Sequence, residues 1–182
     1  MKQDDFTLIS EPQQQALTAL GITSQILQAC RLPYCGESDQ LVPAGEDVFG
    51  RPQQMTSETL TAWQSMQAAA SEDGIVLQLV SAWRSFDYQV GLLQRKLDAG
   101  QTLSEILKVS AIPGFSEHHT GEALDLTTPG YPVLDEAFET SPAFAWLSAR
   151  AADFDFFLSY PRDNDLGIIY EPWHWRFRHS QD

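Results

Sequence analysis

The sequence predicts a chain that contains both α-helices and β-strands, and three patterns support this class. Apolar residues recur at helical spacing in several stretches, most clearly over residues 58–71 and 86–99. Residues 75–80 form a β-branched apolar run of strand length. Aromatic and polar residues alternate strictly over 173–178, which is typical of a strand with one buried face. The chain has no internal repeat or low-complexity tract.

The predicted elements begin near the N-terminus. Residues 11–29 have a helical pattern broken by Gly21, which predicts one or two short helices. Residues 35–54 place glycines and prolines among polar residues, which predicts an irregular connection. Each later helix follows a residue that favours N-terminal caps: Ser57, Ser85, Thr102 with Glu105 as a capping box, and Ser141 before Pro142.

Composition restricts the function. The chain has 182 residues and a formal net charge of -14, with 11 lysines and arginines in total. This length predicts one domain with a proper core. So few cations argue against nucleic acid as a partner, because a polyanion must be met by clustered basic residues. An anionic substrate would have to be held by a few local arginines.

Targeting signals and cysteines give further expectations. The sequence starts without an apolar signal segment, and no apolar run approaches the roughly 20 residues of a membrane span. These features predict a soluble cytoplasmic protein with no membrane partner, provided that no precursor begins upstream. Cys30 and Cys35 are expected to be free thiols, with a local disulfide as the alternative. The sequence does not indicate an oligomeric state.

One set of residues predicts a catalytic site. His118, Asp125 and His174 supply two imidazoles and a carboxylate, the ligand set of a catalytic zinc site that keeps its fourth position open. Alternation over residues 123–127 turns Asp125 away from the apolar layer. Glu171 lies three residues before His174, close enough to act as a base on a metal-bound water. These residues predict a zinc hydrolase.

Residue chemistry leaves several alternatives open. His119 is an equally good ligand in place of His118, since neighbours in a loop can exchange roles. Glu117 and Glu122 are expected on the surface because acidic side chains seldom lie fully buried. His179 is expected to be solvated. An arginine such as Arg84 often makes only a surface ion pair.

Two separated motifs resemble a known family. Ser116, His118, Gly121, Ala123 and Asp125 match S-x-H-x-x-G-x-A-x-D, and residues 171–174 match E-x-W-H. Together they resemble the metallopeptidase family of D-alanyl-D-alanine carboxypeptidases and dipeptidases of the VanY and VanX type. The hedgehog signalling domain shares this fold. The similarity spans residues 80–177.

The resemblance implies an α+β fold, with a small antiparallel sheet that carries the metal site and helices packed against it. It implies a single zinc peptidase domain over residues 1–182, with an N-terminal helical segment of about 1–55 and a catalytic core of about 56–178. His118 is then chosen over His119. His118, Asp125 and His174 would bind zinc, and Glu171 would be the catalytic base.

The resemblance also implies substrate contacts. Arg84, Ser85 and Gln89 resemble the family's Y-R-S-x-x-x-Q segment, in which the arginine holds or polarises the peptide. Trp83 stands where the family has tyrosine. Ser116 would contact substrate from the first position of its motif. For Gln89, a solvent-facing position is the alternative.

The expected function is removal of a C-terminal D-alanine from cell-wall-type peptides by a zinc-dependent D-alanyl-D-alanine carboxypeptidase. The family alternatives are an L,D-carboxypeptidase and a D-Ala-D-Ala dipeptidase. Two rivals belong to other classes. A non-haem iron oxygenase also uses two histidines and a carboxylate, but its usual H-x-D pair is absent from the site. A non-catalytic, zinc-stabilised binding module would need neither Glu171 nor Arg84.

Overall fold

The structure is a computed structural model that describes residues 8–178. Within this range the chain forms six α-helices and six β-strands. The helices are α1 (Glu11–Ala19), α2 (Ser24–Ala29), α3 (Ser57–Glu72), α4 (Phe86–Asp98), α5 (Leu103–Val109) and α6 (Pro142–Arg150). The strands are β1 (Leu41–Glu46), β2 (Pro52–Thr56), β3 (Gln78–Ser81), β4 (Ala123–Thr127), β5 (Phe156–Leu158) and β6 (His174–Phe177).

Four of the strands form one antiparallel sheet in the order β3-β4-β6-β5, while β1 and β2 form a separate hairpin. The predicted α+β class is therefore confirmed. In the central pair, Asp125 of β4 lies opposite His174 of β6. Because opposed residues of antiparallel strands point to the same face, the register alone brings these two side chains together.

Two apolar clusters lie around this sheet. The first joins one face of the sheet to α3 and α6 and includes Leu124, Leu126 and Trp175. The second joins α1, α2, α4 and α5 to the connections that follow them. Its member Tyr160 reaches the other face of the sheet, where its ring centroid lies 4.8 Å from that of His174. The polar face of the central strands thus borders the second cluster.

Most predicted helix starts are confirmed. Ser85 caps α4, Thr102 and Glu105 form the capping box of α5, and Ser141 caps α6 ahead of its proline. The predicted cap of α3, Ser57, is wrong by one residue. Thr56 accepts the hydrogen bond from the Thr59 backbone N–H, and the helix already begins at position 57. The predicted strand over 75–80 begins three residues late, at position 78.

The prediction of an irregular connection over residues 35–54 is wrong. Strands β1 and β2 pair there, with a change of register between Pro43 and Glu46. The buried carboxylate of Asp47 accepts hydrogen bonds from the backbone N–H groups of Phe49 and Arg51 and so holds the turn. Residues 8–55 are therefore not a wholly helical segment.

Other expectations concern single features. Cys30 and Cys35 are not joined by a disulfide, as predicted. Among residues 8–178, no helix combines the length and the apolar character that crossing a membrane requires. His179 lies outside the described residues.

Candidate metal centre

A single turn of 3-10 helix, Glu117–Thr120, presents the first predicted ligand. Gly121 ends this turn in the left-handed region with φ of 73°. A Cβ atom at this position would lie 2.7 Å from Leu41 Cδ2 and 3.3 Å from the Thr56 backbone nitrogen. Both the backbone conformation and the close approach of β2 therefore require the glycine of the motif. The chain then enters β4 directly.

The structure brings His118, Asp125 and His174 together. One ligand atom from each lies within 4.8 Å of the others, and all three residues are buried. His118 Nε2 is 3.3 Å from Asp125 Oδ2, and His174 Nδ1 is 3.1 Å from Asp125 Oδ1. Ligand atoms bound about 2.0–2.1 Å from a tetrahedral zinc are themselves roughly 3.3 Å apart. Each of these two separations, which involve different oxygens of Asp125, is close to that value.

The hydrogen bonds of His118 indicate which nitrogen faces the cluster. Its Nδ1 lies 2.6 Å from the Ala82 carbonyl oxygen, an acceptor, so Nδ1 carries the ring proton. Nε2 then has only a lone pair, and it has no hydrogen-bond partner among the described residues. Burial and the nearby Arg84 charge lower the pKa of His118. A neutral imidazole that directs a lone pair toward a carboxylate oxygen is well suited to share a cation with it.

Glu117 orients the ring of His174, the other histidine of the cluster. Its Oε2 lies 2.9 Å from His174 Nε2, and this contact turns Nδ1 toward Asp125. Glu117 is 8% exposed and also accepts a hydrogen bond from Arg176 at 3.3 Å. The expected surface position of Glu117 is therefore wrong. Glu122 is half-buried and accepts a hydrogen bond from Arg176 at 3.0 Å.

His119 lies outside the cluster. Its Nδ1 lies 2.6 Å from the Arg84 carbonyl oxygen, and its Nε2 accepts the backbone N–H of Gly114 at 3.0 Å. Both ring nitrogens are thus engaged by the backbone. Trp83 donates from Nε1 to the His119 carbonyl oxygen at 3.2 Å, and this hydrogen bond stabilises the loop that contains His119. It is not among the residues that line the neighbouring cleft.

Glu171 lies beside the cluster without joining it. Its Oε2 is 3.9 Å from His174 Nδ1, and the residue is 8% exposed. Burial raises the pKa of Glu171 to about 7; the His174 and Arg84 charges oppose this shift, while the Asp125 charge adds to it. A carboxyl group with a near-neutral pKa can both accept and return a proton.

Arg84 makes its ion pair inside the site. Its Nη2 donates to Asp125 Oδ2, and its Nε donates to Ser81 Oγ at 3.0 Å. The side chain is 16% exposed, so the alternative of a surface ion pair is wrong. A charge fixed in this way beside the ligands is placed to meet negative charge on a substrate.

The predicted substrate contacts are also buried. Gln89 is 1% exposed, so its solvent-facing alternative is wrong. Its Nε2 donates to the Ala111 carbonyl oxygen at 2.9 Å, while its Oε1 has no partner among the described residues. Ser116 is 3% exposed. All the predicted site residues line one cleft of about 430 Å³, namely Arg84, Gln89, Ser116, His118, Asp125, Glu171 and His174.

Sequence reasoning missed three residues of this cleft and its surroundings. Glu117 belongs to the first motif but occupies one of its variable positions. Tyr160 lies against His174 and carries no motif signal. Lys96 lines the cleft from α4, seven residues after Gln89. This spacing places both residues on one face of the helix, and it was the signal in the sequence that could have identified Lys96.

The fold and the cluster define an α+β protein whose central strands carry a candidate metal centre in a cleft. Residues 52–180 match the family model described as VanY, D-alanyl-D-alanine carboxypeptidase. The chain belongs to this family, whose members are carboxypeptidases.

Individual relatives agree with the family match. YodJ of Bacillus subtilis (strain 168) is 31% identical over 147 residues, which cover 77% of this chain and 53% of YodJ. The solved LdcB LD-carboxypeptidase is 30% identical with a TM-score of 0.69, covering 78% of this chain and 69% of that one. A variant of the vancomycin resistance D,D-pentapeptidase VanY, solved in complex with Zn(II), is 25% identical with a TM-score of 0.60 and covers 79% of each chain. The chain spans about half the length, or less, of the first curated relatives.

Proposed function

We propose that this protein is a zinc-dependent D-alanyl-D-alanine carboxypeptidase that removes the C-terminal D-alanine from cell-wall-type peptides. The observation that supports this most directly is the convergence of His118, Asp125 and His174 in one cleft with the near-neutral carboxyl of Glu171. Membership of the VanY family supplies the reaction class.

The proposed metal ligands are His118 Nε2, the Asp125 carboxylate and His174 Nδ1. Two imidazoles and a carboxylate are a donor set that zinc favours in catalytic sites. A zinc ion bound there would lower the pKa of a bound water toward about 7 and polarise the scissile carbonyl. The Zn(II) complex of the related VanY supports the choice of metal.

Glu171 is the proposed base. Its carboxylate accepts the proton of the attacking water, and the resulting carboxylic acid returns it to the leaving amine. Burial raises the pKa of Glu171, and this makes its carboxylate a stronger base toward the water proton. Its position beside the ligands rather than among them keeps the carboxylate free for proton transfer.

Arg84 and the remaining cleft residues orient the peptide. Arg84 is permanently charged and lies next to Asp125, so it stabilises negative charge that develops at the scissile carbonyl. Gln89 offers an unpaired buried oxygen to a substrate N–H. Ser116 offers a hydroxyl from the start of the metal-binding turn.

L,D-carboxypeptidase activity is the second candidate. The solved LdcB LD-carboxypeptidase is the observation that favours it, because its TM-score to this chain exceeds that of the VanY complex. The two activities differ in the residue that precedes the terminal D-alanine, and a dipeptidase would need only the free dipeptide. A cytoplasmic location and the division at about residue 55 stay predictions.

The decisive experiment incubates the zinc-loaded protein separately with wall pentapeptide, wall tetrapeptide and D-Ala-D-Ala, with and without a chelator, and measures free D-alanine. We expect release from the pentapeptide that the chelator abolishes. Release from the tetrapeptide alone would instead assign L,D activity. Glu171→Gln should keep its zinc and lose nearly all turnover, and full activity in that variant would remove Glu171 from the mechanism.

A further inference from the structure

Lys96 is a cation inside the cleft whose charge no described carboxylate neutralises. Besides its histidines, the cleft is lined by three basic side chains, Arg51, Arg84 and Lys96. Arg51 pairs with Asp47 at 2.7 Å, and Arg84 pairs with Asp125. Lys96 forms no ion pair with any residue in the described part of the chain, and its Nζ donates only to Ser110 Oγ, at 2.8 Å.

The surroundings of Lys96 disfavour an unpaired charge. The residue is half-buried on α4, and burial together with the Arg84 charge lowers its pKa, while the Glu171 charge opposes the shift. Lys96 therefore lies within electrostatic range of both groups that act on the scissile bond. The chain carries 25 acidic residues against 11 lysines and arginines, yet none of the acids within residues 8–178 forms an ion pair with this ammonium group. An anionic ligand would complete its interactions.

The polar groups in the cleft near Lys96 match the C-terminal end of a peptide. Ser110 is 8% exposed; its oxygen accepts from Lys96, so its own hydrogen is available to a ligand. The carbonyl oxygen of the next residue, Ala111, accepts from the Gln89 amide, and the unpaired Gln89 Oε1 belongs to the same cleft. An ammonium and a hydroxyl match a carboxylate, and the amide oxygen matches a peptide N–H.

We propose that Lys96 Nζ and Ser110 Oγ bind the C-terminal carboxylate of the peptide substrate. The inference rests on the proposed function and adds the group that recognises the C-terminus of the substrate. Arg51 pairs with Asp47, and Arg84 lies beside the proposed metal ligands, where it meets the scissile carbonyl. Among these three cations, Lys96 therefore remains for the terminal carboxylate. Holding the terminal carboxylate there sets which peptide bond reaches Glu171, and this restricts cleavage to the last residue.

The test measures binding, so that it does not depend on turnover. Zinc-loaded Glu171→Gln protein is titrated calorimetrically with two wall pentapeptides, one with a free C-terminal carboxylate and one with a C-terminal amide. Adding Lys96→Gln should weaken binding of the free acid about 10- to 100-fold, the factor contributed by a hydrogen bond to a charged group. Binding of the amide should stay unchanged.

Matched variants keep the result specific. Lys108→Gln removes an equal charge from an exposed position of α5 and should leave both affinities unchanged. Lys96→Arg should recover part of the preference for the free acid. Zinc content and thermal unfolding of each variant verify that the site is intact.

Two outcomes would overturn the proposal: equal weakening of acid and amide, or no weakening at all. Equal weakening would assign Lys96 to a different group of the peptide. If wild-type protein releases no D-alanine while acid-dependent binding through Lys96 persists, the proposed function fails and the carboxylate site stands.

Discussion

At the scale of single residues, Glu117 shows how one side chain sets the role of another. His174 has two ring nitrogens, and the proposed metal site needs Nδ1 as a lone-pair donor. Glu117 accepts from Nε2 at 2.9 Å. Burial raises the pKa of Glu117, but the hydrogen bond from His174 lowers it more, to about 2. Glu117 is therefore ionised at neutral pH. A carboxylate behind a ligating histidine fixes the ring and increases its basicity.

Glu117→Gln should accordingly weaken zinc binding about 10- to 100-fold, the usual effect of losing such a partner. Competition with a chelating dye measures the affinity directly. Glu122→Gln is the matched control, because Glu122 also pairs with Arg176, at 3.0 Å, and its removal changes the net charge equally. Equal losses of affinity in both variants would attribute the effect to charge and contradict the positioning role.

The candidate ligands could be predicted because motif spacing and strand alternation mark them in the sequence. Glu117 could not, since its partner His174 is 57 positions away and nothing local reveals the contact. The expectation for an isolated acidic residue is a surface position. Lys96 was missed for the same reason, as its site depends on how α4 packs beside the loop that carries Ser110.

At the scale of elements, the β1–β2 hairpin shows where local pattern fails. Pro43 and Gly45 are unfavourable in strands, and the register changes there. Tertiary contacts compensate: Arg51 donates to the Val80 carbonyl oxygen at 3.0 Å, and Gln53 accepts the backbone N–H of Ala82 at 2.9 Å. By contrast, the starts of α4, α5 and α6 could be predicted from their capping residues alone, and these predictions were confirmed. The buried carboxylate of Asp47 joins the turn to these contacts.

Asp47→Asn should destabilise the protein by about 1–3 kcal/mol, because buried donors lose a charged acceptor. Burial raises the pKa of Asp47, but hydrogen bonds from Arg51 and Phe49 lower it more. A lowered folded-state pKa means that this stabilisation is present above the unfolded value near 3.9 and is lost as pH falls through the folded value.

Urea unfolding at neutral and acidic pH measures both effects. The difference between wild type and Asp47→Asn should shrink below about pH 4. Glu46→Gln, at an exposed neighbouring position, should change stability little. A difference that stays constant with pH would contradict the role of the ionised carboxylate.

At the scale of the whole molecule, a polar layer lies where the two apolar clusters meet the sheet. Asp125, Glu117 and Glu171 are buried there within reach of His174. The strand order that assembles them cannot be read from any single element, because β4 and β6 are about fifty positions apart. Concentrating carboxylates in an interior is unfavourable unless cations compensate them. Arg84 and Arg176 already pair with Asp125 and Glu117, and we expect a bound cation to add further compensation.

Zinc should stabilise the folded protein by about 4 kcal/mol at a free concentration a thousandfold above its Kd, because the unfolded chain lacks the assembled site. Differential scanning calorimetry measures this as a rise in Tm with zinc concentration. Magnesium, which prefers six oxygen ligands, should produce no comparable rise. His118→Ala removes a ligand and should abolish the zinc-dependent increment, whatever its own Tm. An equal increment in His118→Ala would show that zinc binds elsewhere and would contradict the proposed site.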